Sequence, residues 1–152
     1  EAEEIKDFLE KDKYNSSIYI MVDTLLYLKR GGRITPAAAA LGTILKIKPV
    51  LQIQGEKLDA FAKARTTAQG KQIMMNAIKN DITKRFGKEP EQADMWLDIA
   101  HTNNNAAALD FREEVLGQFP GCESYVDHLS LSVACHIGPG ALAVTCTTRN
   151  GE

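Results

Sequence analysis

Apolar residues recur along this chain at two different spacings, which predict helices and strands in alternation. The clearest helical stripe repeats every four residues and consists of Met74, Ile78, Ile82 and Phe86. This spacing is typical of an amphipathic helix, which we expect over residues 66–86, ended by Gly87. A shorter stripe predicts a helix over residues 1–13 and consists of Ile5, Phe8 and Leu9.

Strands are expected where β-branched and aromatic residues cluster between turn residues. The segments with this character are residues 17–22, 49–53, 58–64, 94–101, 123–129 and 141–147. A turn at Gln54 and Gly55 makes the second and third of them a hairpin. Further helices are expected at residues 25–30, 37–45, 103–119 and 130–136. Because strands and helices alternate, we expect an α/β domain with a mixed sheet.

The composition is that of one globular domain. Of the 152 residues, 44% are hydrophobic and 25% are charged, which excludes a chain that is mainly disordered. No apolar run approaches the roughly 18 residues of a membrane span. The three cysteines are widely spaced and form no Cys-x-x-Cys pair, so we expect reduced thiols and a cytoplasmic protein.

Charge is distributed unevenly although the net charge is only −2. Residues 29–88 hold thirteen basic and three acidic side chains, and the remainder of the chain is acidic. This asymmetry favours a basic face that meets an anionic ligand or an acidic partner. Most of these lysines are nevertheless expected to be merely solvated. The basic stretch contains only two aromatic residues, so we do not expect nucleic-acid binding.

Two glycine-flanked turns carry the candidate chemistry. Arg33 follows two glycines and precedes a helix start at Thr35, where backbone N–H groups and a guanidinium favour an anion. His136 precedes the turn Gly138-Pro139-Gly140, which is both rigid and sterically open. A solvated arginine and a histidine bonded to a nearby carbonyl are the alternatives. Together the two turns suit a carboxylate with a hydrocarbon tail.

Several enzyme classes are not expected. Cys135 and His136 are neighbours, and neighbouring side chains diverge in a strand or a helix, so they do not form a nucleophile–base pair. The three histidines and three cysteines lack metal-ligand spacing, so no metal site is expected. No phosphate-binding glycine loop, dinucleotide fingerprint or nucleophile elbow is present. We therefore assign no catalytic residue.

Three collinear segments resemble the DegV family. They read Tyr-Leu-Lys-Arg-Gly-Gly-Arg-Ile at residues 27–34, Leu-Gly-Thr-Ile-Leu-Lys-Ile-Lys-Pro-Val-Leu at 41–51, and His-Ile-Gly-Pro-Gly-Ala-Leu at 136–142. Residues 63–65 also resemble the basic segment that follows the hairpin of that family. The resemblance runs in family order from about Val22 to the C-terminus. It implies a two-layer α/β sandwich with a mixed sheet.

The resemblance also implies a function. DegV proteins are bacterial two-domain fatty-acid-binding proteins, and some present their ligand to a fatty acid kinase, which phosphorylates its carboxyl group. The family's N-terminal domain supplies a Thr and a Ser hydroxyl to the carboxylate. This chain would be the C-terminal domain over residues 1–152, with residues 1–16 as the end of a linking helix. The missing N-terminal domain would then be one of its partners, alongside the fatty acid and the kinase.

By the same resemblance, individual residues acquire expected roles. The carboxylate would meet His136, Arg33, Gly138 and Gly140. Arg33 and Arg65 would face the head group or the kinase catalytic subunit. The acyl tunnel would be lined by Leu41, Ile44, Leu45, Ile47 and Leu51. No cofactor and at most a transient membrane contact are expected, and apolar area should be exposed around residues 34–51.

Two other functions stay open. One is a hydrolase or transferase that acts on a phosphate or acyl group, with His136 as base and Arg33 as anion clamp. The other is a protein-docking module that uses the basic face, which is compatible with lipid binding. The preferred interpretation is a non-catalytic lipid-binding protein.

Overall fold

The computed structural model describes residues 1–32, 47–55 and 57–149, and it contains one sheet with helices on both faces. The strands are β1 (Ser16–Met21), β2 (Lys48–Gln54), β3 (Lys57–Ala64), β4 (Met95–Trp96), β5 (Ile99–His101), β6 (Val126–His128) and β7 (Leu142–Thr148). The helices are α1 (Ala2–Asp12), α2 (Leu26–Arg30), α3 (Thr67–Asn80), α4 (Asn105–Gln118) and α5 (Leu131–Ile137).

The sheet has the order β3-β2-β1-β7-β5-β6, and β4 pairs with β7 beside this path. All pairings are antiparallel except that of β5 with β6, which is parallel. The mixed sheet predicted from the alternation of elements is therefore confirmed. The first strand and the final strand of the described chain lie side by side at its centre, with Ile20 opposite Ala143.

Each face of the sheet carries its own apolar cluster, because successive side chains of a strand point to opposite faces. On β1, Tyr19 and Met21 belong to the larger cluster, which contains the buried apolar side chains of α3 and α4. Ile20 belongs to the smaller one, which includes Leu28 of α2 and Ile137 of α5. We call this smaller set the second cluster. Two long helices thus cover one face, and two short helices cover part of the other.

The helix predicted over residues 66–86 begins and ends close to the expected positions. Thr66 caps it by accepting a hydrogen bond from the Gln69 N–H at 3.1 Å. Regular α-helix ends at Asn80 and continues as a π-helical turn over Asp81–Arg85. Gly87 follows with a φ of 63°, a left-handed conformation that favours glycine.

Two predicted strands are shorter in the structure. The segment 94–101 forms two short strands, because the Asp98 N–H bonds the Thr145 hydroxyl at 3.3 Å instead of a backbone carbonyl. The segment 123–129 is paired as a strand only over Val126–His128. The helix predicted at residues 37–45 lies outside the described residues.

Helix α1 packs none of its side chains into the domain. Its apolar stripe is therefore open, with Ile5, Phe8 and Leu9 each more than half exposed. Within the described ranges, no helix combines the length and the apolarity that crossing a membrane requires.

A buried polar network joins the central strands to the helical layer. The Tyr19 hydroxyl donates to the carboxylate of buried Asp81 at 2.7 Å, and the Gln52 amide donates to the same hydroxyl at 3.2 Å. Burial, reinforced by the bond to Asp81, raises the pKa of Tyr19 well above its ordinary value. Arg85 donates to the Ser16 carbonyl at 3.1 Å and so ties the π-helical turn to β1.

Candidate functional site

The turn that follows α5 is held by hydrogen bonds from the end of β5. The hydroxyl of buried Thr102 donates to the Gly138 carbonyl at 2.6 Å and accepts from the Ala141 N–H at 3.0 Å. The Thr102 backbone accepts from the Gly140 N–H at 2.7 Å. Asn104 adds a bond from its side-chain amide to the Gly140 carbonyl at 3.2 Å. Residues 138–141 therefore have a defined conformation despite their two glycines.

Both glycines of this turn meet requirements that other residues do not. Gly138 has a φ of 79°, and a Cβ placed there would lie 2.5 Å from Cε2 of Tyr27. Gly140 has a φ of 84°, and its Cβ would lie 2.5 Å from Oδ2 of Asp23. The backbone of the turn is thus in direct contact with an aromatic ring and a carboxylate.

This packing brings the two sequence motifs together. Tyr27 begins the first motif, lies on α2, and covers Gly138 of the second motif. Asp23 also forms an ion pair with Lys48 at the start of β2, so its charge beside Gly140 is balanced. Arg33 lies outside the described residues, so its expected contact with the carboxylate alongside His136 stays a prediction.

His136 lies in the last turn of α5, two residues before Gly138, and is half-buried. Within residues 1–32, 47–55 and 57–149, no group forms a hydrogen bond with its imidazole. The alternative of a histidine bonded to a nearby carbonyl is therefore not what this part of the structure contains. An imidazole with open nitrogens beside a rigid turn can donate to an anion or accept a proton.

The acyl-lining residues expected from the resemblance fall into two groups. Leu51 is buried in the second cluster and Ile47 packs against it half-buried, whereas Leu41, Ile44 and Leu45 lie outside the described residues. Of the exposure expected around residues 34–51, the described part of the segment retains half-buried Ile47 and Lys48, whereas residues 49–51 are buried. The reason is that β2 is an interior strand, with apolar clusters against both of its faces.

Part of the basic surplus serves internal contacts. Lys71 is nine-tenths buried, pairs with Glu114 at 2.8 Å and lies over the Phe111 ring. Arg85 is used to anchor β1, as described above. Arg65 is exposed at the end of β3, where its backbone N–H donates to the Gln69 side chain at 2.7 Å. An exposed guanidinium at this position is compatible with docking, which stays a prediction.

Sequence reasoning missed the contribution of residues 101–104. Asn104 precedes α4, but its side chain makes no capping bond and instead donates to the Gly140 carbonyl. The run Thr-Asn-Asn-Asn at 102–105 was the available signal. In the part of the chain that the structure describes, no three His, Cys, Asp or Glu side chains are arranged to hold a metal ion.

Comparison with known proteins places this fold in a family. The family model described as "Uncharacterised protein, DegV family" matches residues 1–149. Protein DegV of Bacillus subtilis is 30% identical over 142 residues, covering 93% of this chain and 48% of the relative. A DegV domain-containing protein of Clostridium perfringens is 33% identical over 143 residues. The match covers 93% of this chain and 47% of that relative.

Solved structures agree with this placement. The crystal structure of Bacillus subtilis DegV, described as a fatty acid binding protein, is 30% identical with a TM-score of 0.76, covering 97% of this chain and 50% of that one. A DegV family protein from Thermus thermophilus, described by its fatty acid binding, is 28% identical with a TM-score of 0.81, at coverages of 97% and 51%. The chain thus spans about half the length of these relatives, and it belongs to the DegV family.

Proposed function

We propose that this chain binds a long-chain fatty acid, with the carboxylate at the His136–Gly140 turn and the acyl chain on the second cluster. We further propose that it presents the carboxyl group to a fatty acid kinase and performs no chemistry of its own. The relatives from Bacillus subtilis and Thermus thermophilus, both described by fatty acid binding, support the choice of ligand.

The observation that carries the proposal is an apolar sheet face that the helices of the described residues cover only in part and that ends at a polar turn. Around the fully buried members of the second cluster lies a margin of half-buried apolar side chains: Ile18, Ile47, Ile53, Leu58, Ala60, Ala100 and Leu129. On β1, Ile20 and Ile18 lead away from the turn, and Ile18 lies opposite Ile53 of β2. An acyl chain that follows β1 would cover this margin while its carboxylate stays near His136.

The acyl chain and the polar turn contribute differently to the binding free energy. Burial of about fifteen methylenes at roughly 0.8 kcal/mol each contributes about 12 kcal/mol before the costs of association. The tail therefore supplies the affinity. A carboxylate buried without partners would cancel several kcal/mol of it, so the imidazole and the turn would mainly fix the orientation of the ligand.

The domain assignment is part of the same proposal. The family resemblance of the three motifs, together with a span of about half of the relatives, supports assigning residues 1–152 to the C-terminal domain of a two-domain cytoplasmic protein. Residues 1–16 would be the end of the linking helix, and the open stripe of α1 is compatible with that role. The N-terminal domain would supply the hydroxyl groups that complete the carboxylate site.

Native mass spectrometry of the full-length protein tests the proposal. We expect a co-purified fatty acid, and we expect Leu58→Glu, which places a charge in the apolar margin, to lose it. Leu109→Glu is the matched control, since Leu109 is half-exposed on α4 and remote from the second cluster. A wild-type protein that carries no fatty acid and takes none up would refute the proposal.

The same protein separates the two other functions. Hydrolysis or phosphoryl transfer that is abolished by His136→Ala would establish an enzyme in place of a carrier. For the docking role, we expect Arg65→Ala to reduce phosphorylation of the bound fatty acid by the kinase while binding of the fatty acid is unchanged. Arg33→Ala should reduce both phosphorylation and binding, because Arg33 is also expected at the carboxylate. Unchanged phosphorylation in both variants would remove these arginines from the kinase contact.

A further inference from the structure

We infer that Thr102 is a positioning residue for the ligand site: it holds the turn at residues 138–141 and thereby orients His136. The inference rests on the proposed function for its link to fatty acid. Thr102 itself is buried, so it acts through the turn and touches no ligand.

Thr102 forms four hydrogen bonds with the short turn at residues 138–141. Besides its two hydroxyl bonds, Thr102 exchanges two backbone bonds with the turn, accepting from Gly140 N–H and donating to the Ala141 carbonyl at 3.2 Å. The strand register explains how it arrives there, because His101 lies opposite Leu142. Of these four hydrogen bonds, only the two formed by the hydroxyl depend on the Thr side chain.

A second chain of hydrogen bonds reaches the turn through His101 and Asn104. Nδ1 of His101 accepts the Asn104 backbone N–H at 3.2 Å. Nε2 of the same imidazole is buried without a hydrogen-bond partner in the described part of the chain. The imidazole fixes the backbone of Asn104, whose side-chain amide holds the Gly140 carbonyl.

The hydrogen bonds of Thr102 also affect the position of His136, through the end of helix α5. Helix α5 has seven residues, and Ile137 is its single buried residue. Its last turn closes through the Gly138 N–H, which donates to the Ala134 carbonyl at 2.9 Å. A helix this short has little stability of its own. The position of His136 therefore depends on how firmly the following turn is held, and Thr102 holds the carbonyl of that same Gly138.

Thr102→Val in the full-length protein tests this, because it removes the hydroxyl while keeping the shape of the side chain. We expect about tenfold weaker binding of a long-chain fatty acid, since two buried backbone groups lose their partner. Thr102→Ser keeps the hydroxyl and should restore binding. Thr148→Val is the matched control, because Thr148 is also buried but its hydroxyl bonds no described residue.

Two readouts separate positioning from a merely structural role. In the His136→Ala background, Thr102→Val should weaken binding no further, whereas a structural role would make the two losses multiply. In the free protein, the His136 ring resonances should shift in Thr102→Val and stay unchanged in Thr148→Val. Multiplying losses together with unchanged resonances would overturn the inference. If Thr102→Val does not fold, Asn104→Ala removes the side-chain hydrogen bond to the Gly140 carbonyl, and the same binding and resonance measurements apply to it.

The two proposals fail in different ways. A full-length protein that takes up no fatty acid refutes the proposed function, while a selective shift of the His136 resonances would still support the positioning role. A protein that binds fatty acid equally well with Val or Thr at position 102 retains the proposed function and loses the inference.

Discussion

Replacement of Gly138 by alanine should destabilise the domain for two separable reasons. The backbone of Gly138 has a φ of 79° and a ψ of 176°, a region that is essentially restricted to glycine. Holding an alanine there costs about 1–3 kcal/mol. In addition, the new Cβ would stand 2.5 Å from Cε2 of Tyr27, about 1 Å closer than an ordinary contact between carbons.

The size of the second contribution depends on how the ring responds. Tyr27 is 37% exposed, so its ring can swing into solvent at the loss of part of its packing on the turn. That loss is about 1 kcal/mol for a partly buried side chain. The total is then about 2–4 kcal/mol, which lowers the melting temperature by roughly 2–4 °C for each kcal/mol in a domain of this size.

Two other glycines calibrate the effect. Gly87 also has a positive φ, 63°, but nothing lies within 4 Å of its added Cβ, so Gly87→Ala should cost backbone strain alone, about 1–2 kcal/mol. Gly117 lies within α4 with open space around it, so Gly117→Ala should stabilise by roughly 0.5–1 kcal/mol. In the Tyr27→Ala background the cost of Gly138→Ala should fall to the strain component.

Urea denaturation of the parent, the three glycine variants, Tyr27→Ala and the Tyr27→Ala/Gly138→Ala double variant measures these differences. Our reasoning about the contact is refuted if Gly138→Ala is no less stable than Gly87→Ala, or if removal of the Tyr27 ring leaves its cost unchanged. Fatty-acid binding should weaken in Gly138→Ala and stay at the parental level in Gly117→Ala, because only the first variant disturbs the turn beside His136.

Three further outcomes follow from buried groups. Asp81→Ala should lower the free energy of unfolding by about 1–3 kcal/mol, because the buried Tyr19 hydroxyl loses its acceptor; a change below about 0.5 kcal/mol in urea denaturation would contradict this. The raised pKa of Tyr19 means that the unfolded state loses this proton first, so the contribution of Tyr19 to stability should be constant below about pH 10 and fall as the pH rises further; Tyr19→Phe should make the decline in stability above about pH 10 less steep. Burial also raises the pKa of the Cys122 and Cys146 thiols, so at pH 8 Ellman's reagent should titrate exposed Cys135 at once and the other two only after unfolding; Cys135→Ser should abolish the fast phase.

The elements that local chemistry determines were predictable from the sequence. The stripe that includes Met74 and Ile78 is buried as expected, and Thr66 caps its helix. The turn at Gly55, with a φ of 76°, joins β2 to β3 as the hairpin pattern indicates. In each case the residues that determine the element lie within a few positions of one another, so the local sequence is sufficient to predict it.

Contacts between distant residues were not predictable in the same way. Asp98 interrupts a predicted strand because its N–H meets a hydroxyl 47 residues away. The bond from Thr102 to Gly138 spans 36 residues and exists only because β5 pairs with β7 in one register. Glycines at 138 and 140 pointed to a special backbone, but the residue that holds it could not be read from the neighbouring sequence.

The central place of β7 in the sheet has a consequence for how the domain folds. Ser16 and Thr147 are joined by their hydroxyls across 131 residues of chain, and β7 is the described strand that is synthesised last. Until it emerges from the ribosome, β1 presents an unpaired edge with apolar side chains on both faces, and β5 lacks its antiparallel neighbour. Such long-range pairing slows folding and exposes edges to aggregation. Shortening the chain by its final strand should therefore leave two separate sheet fragments rather than a trimmed domain.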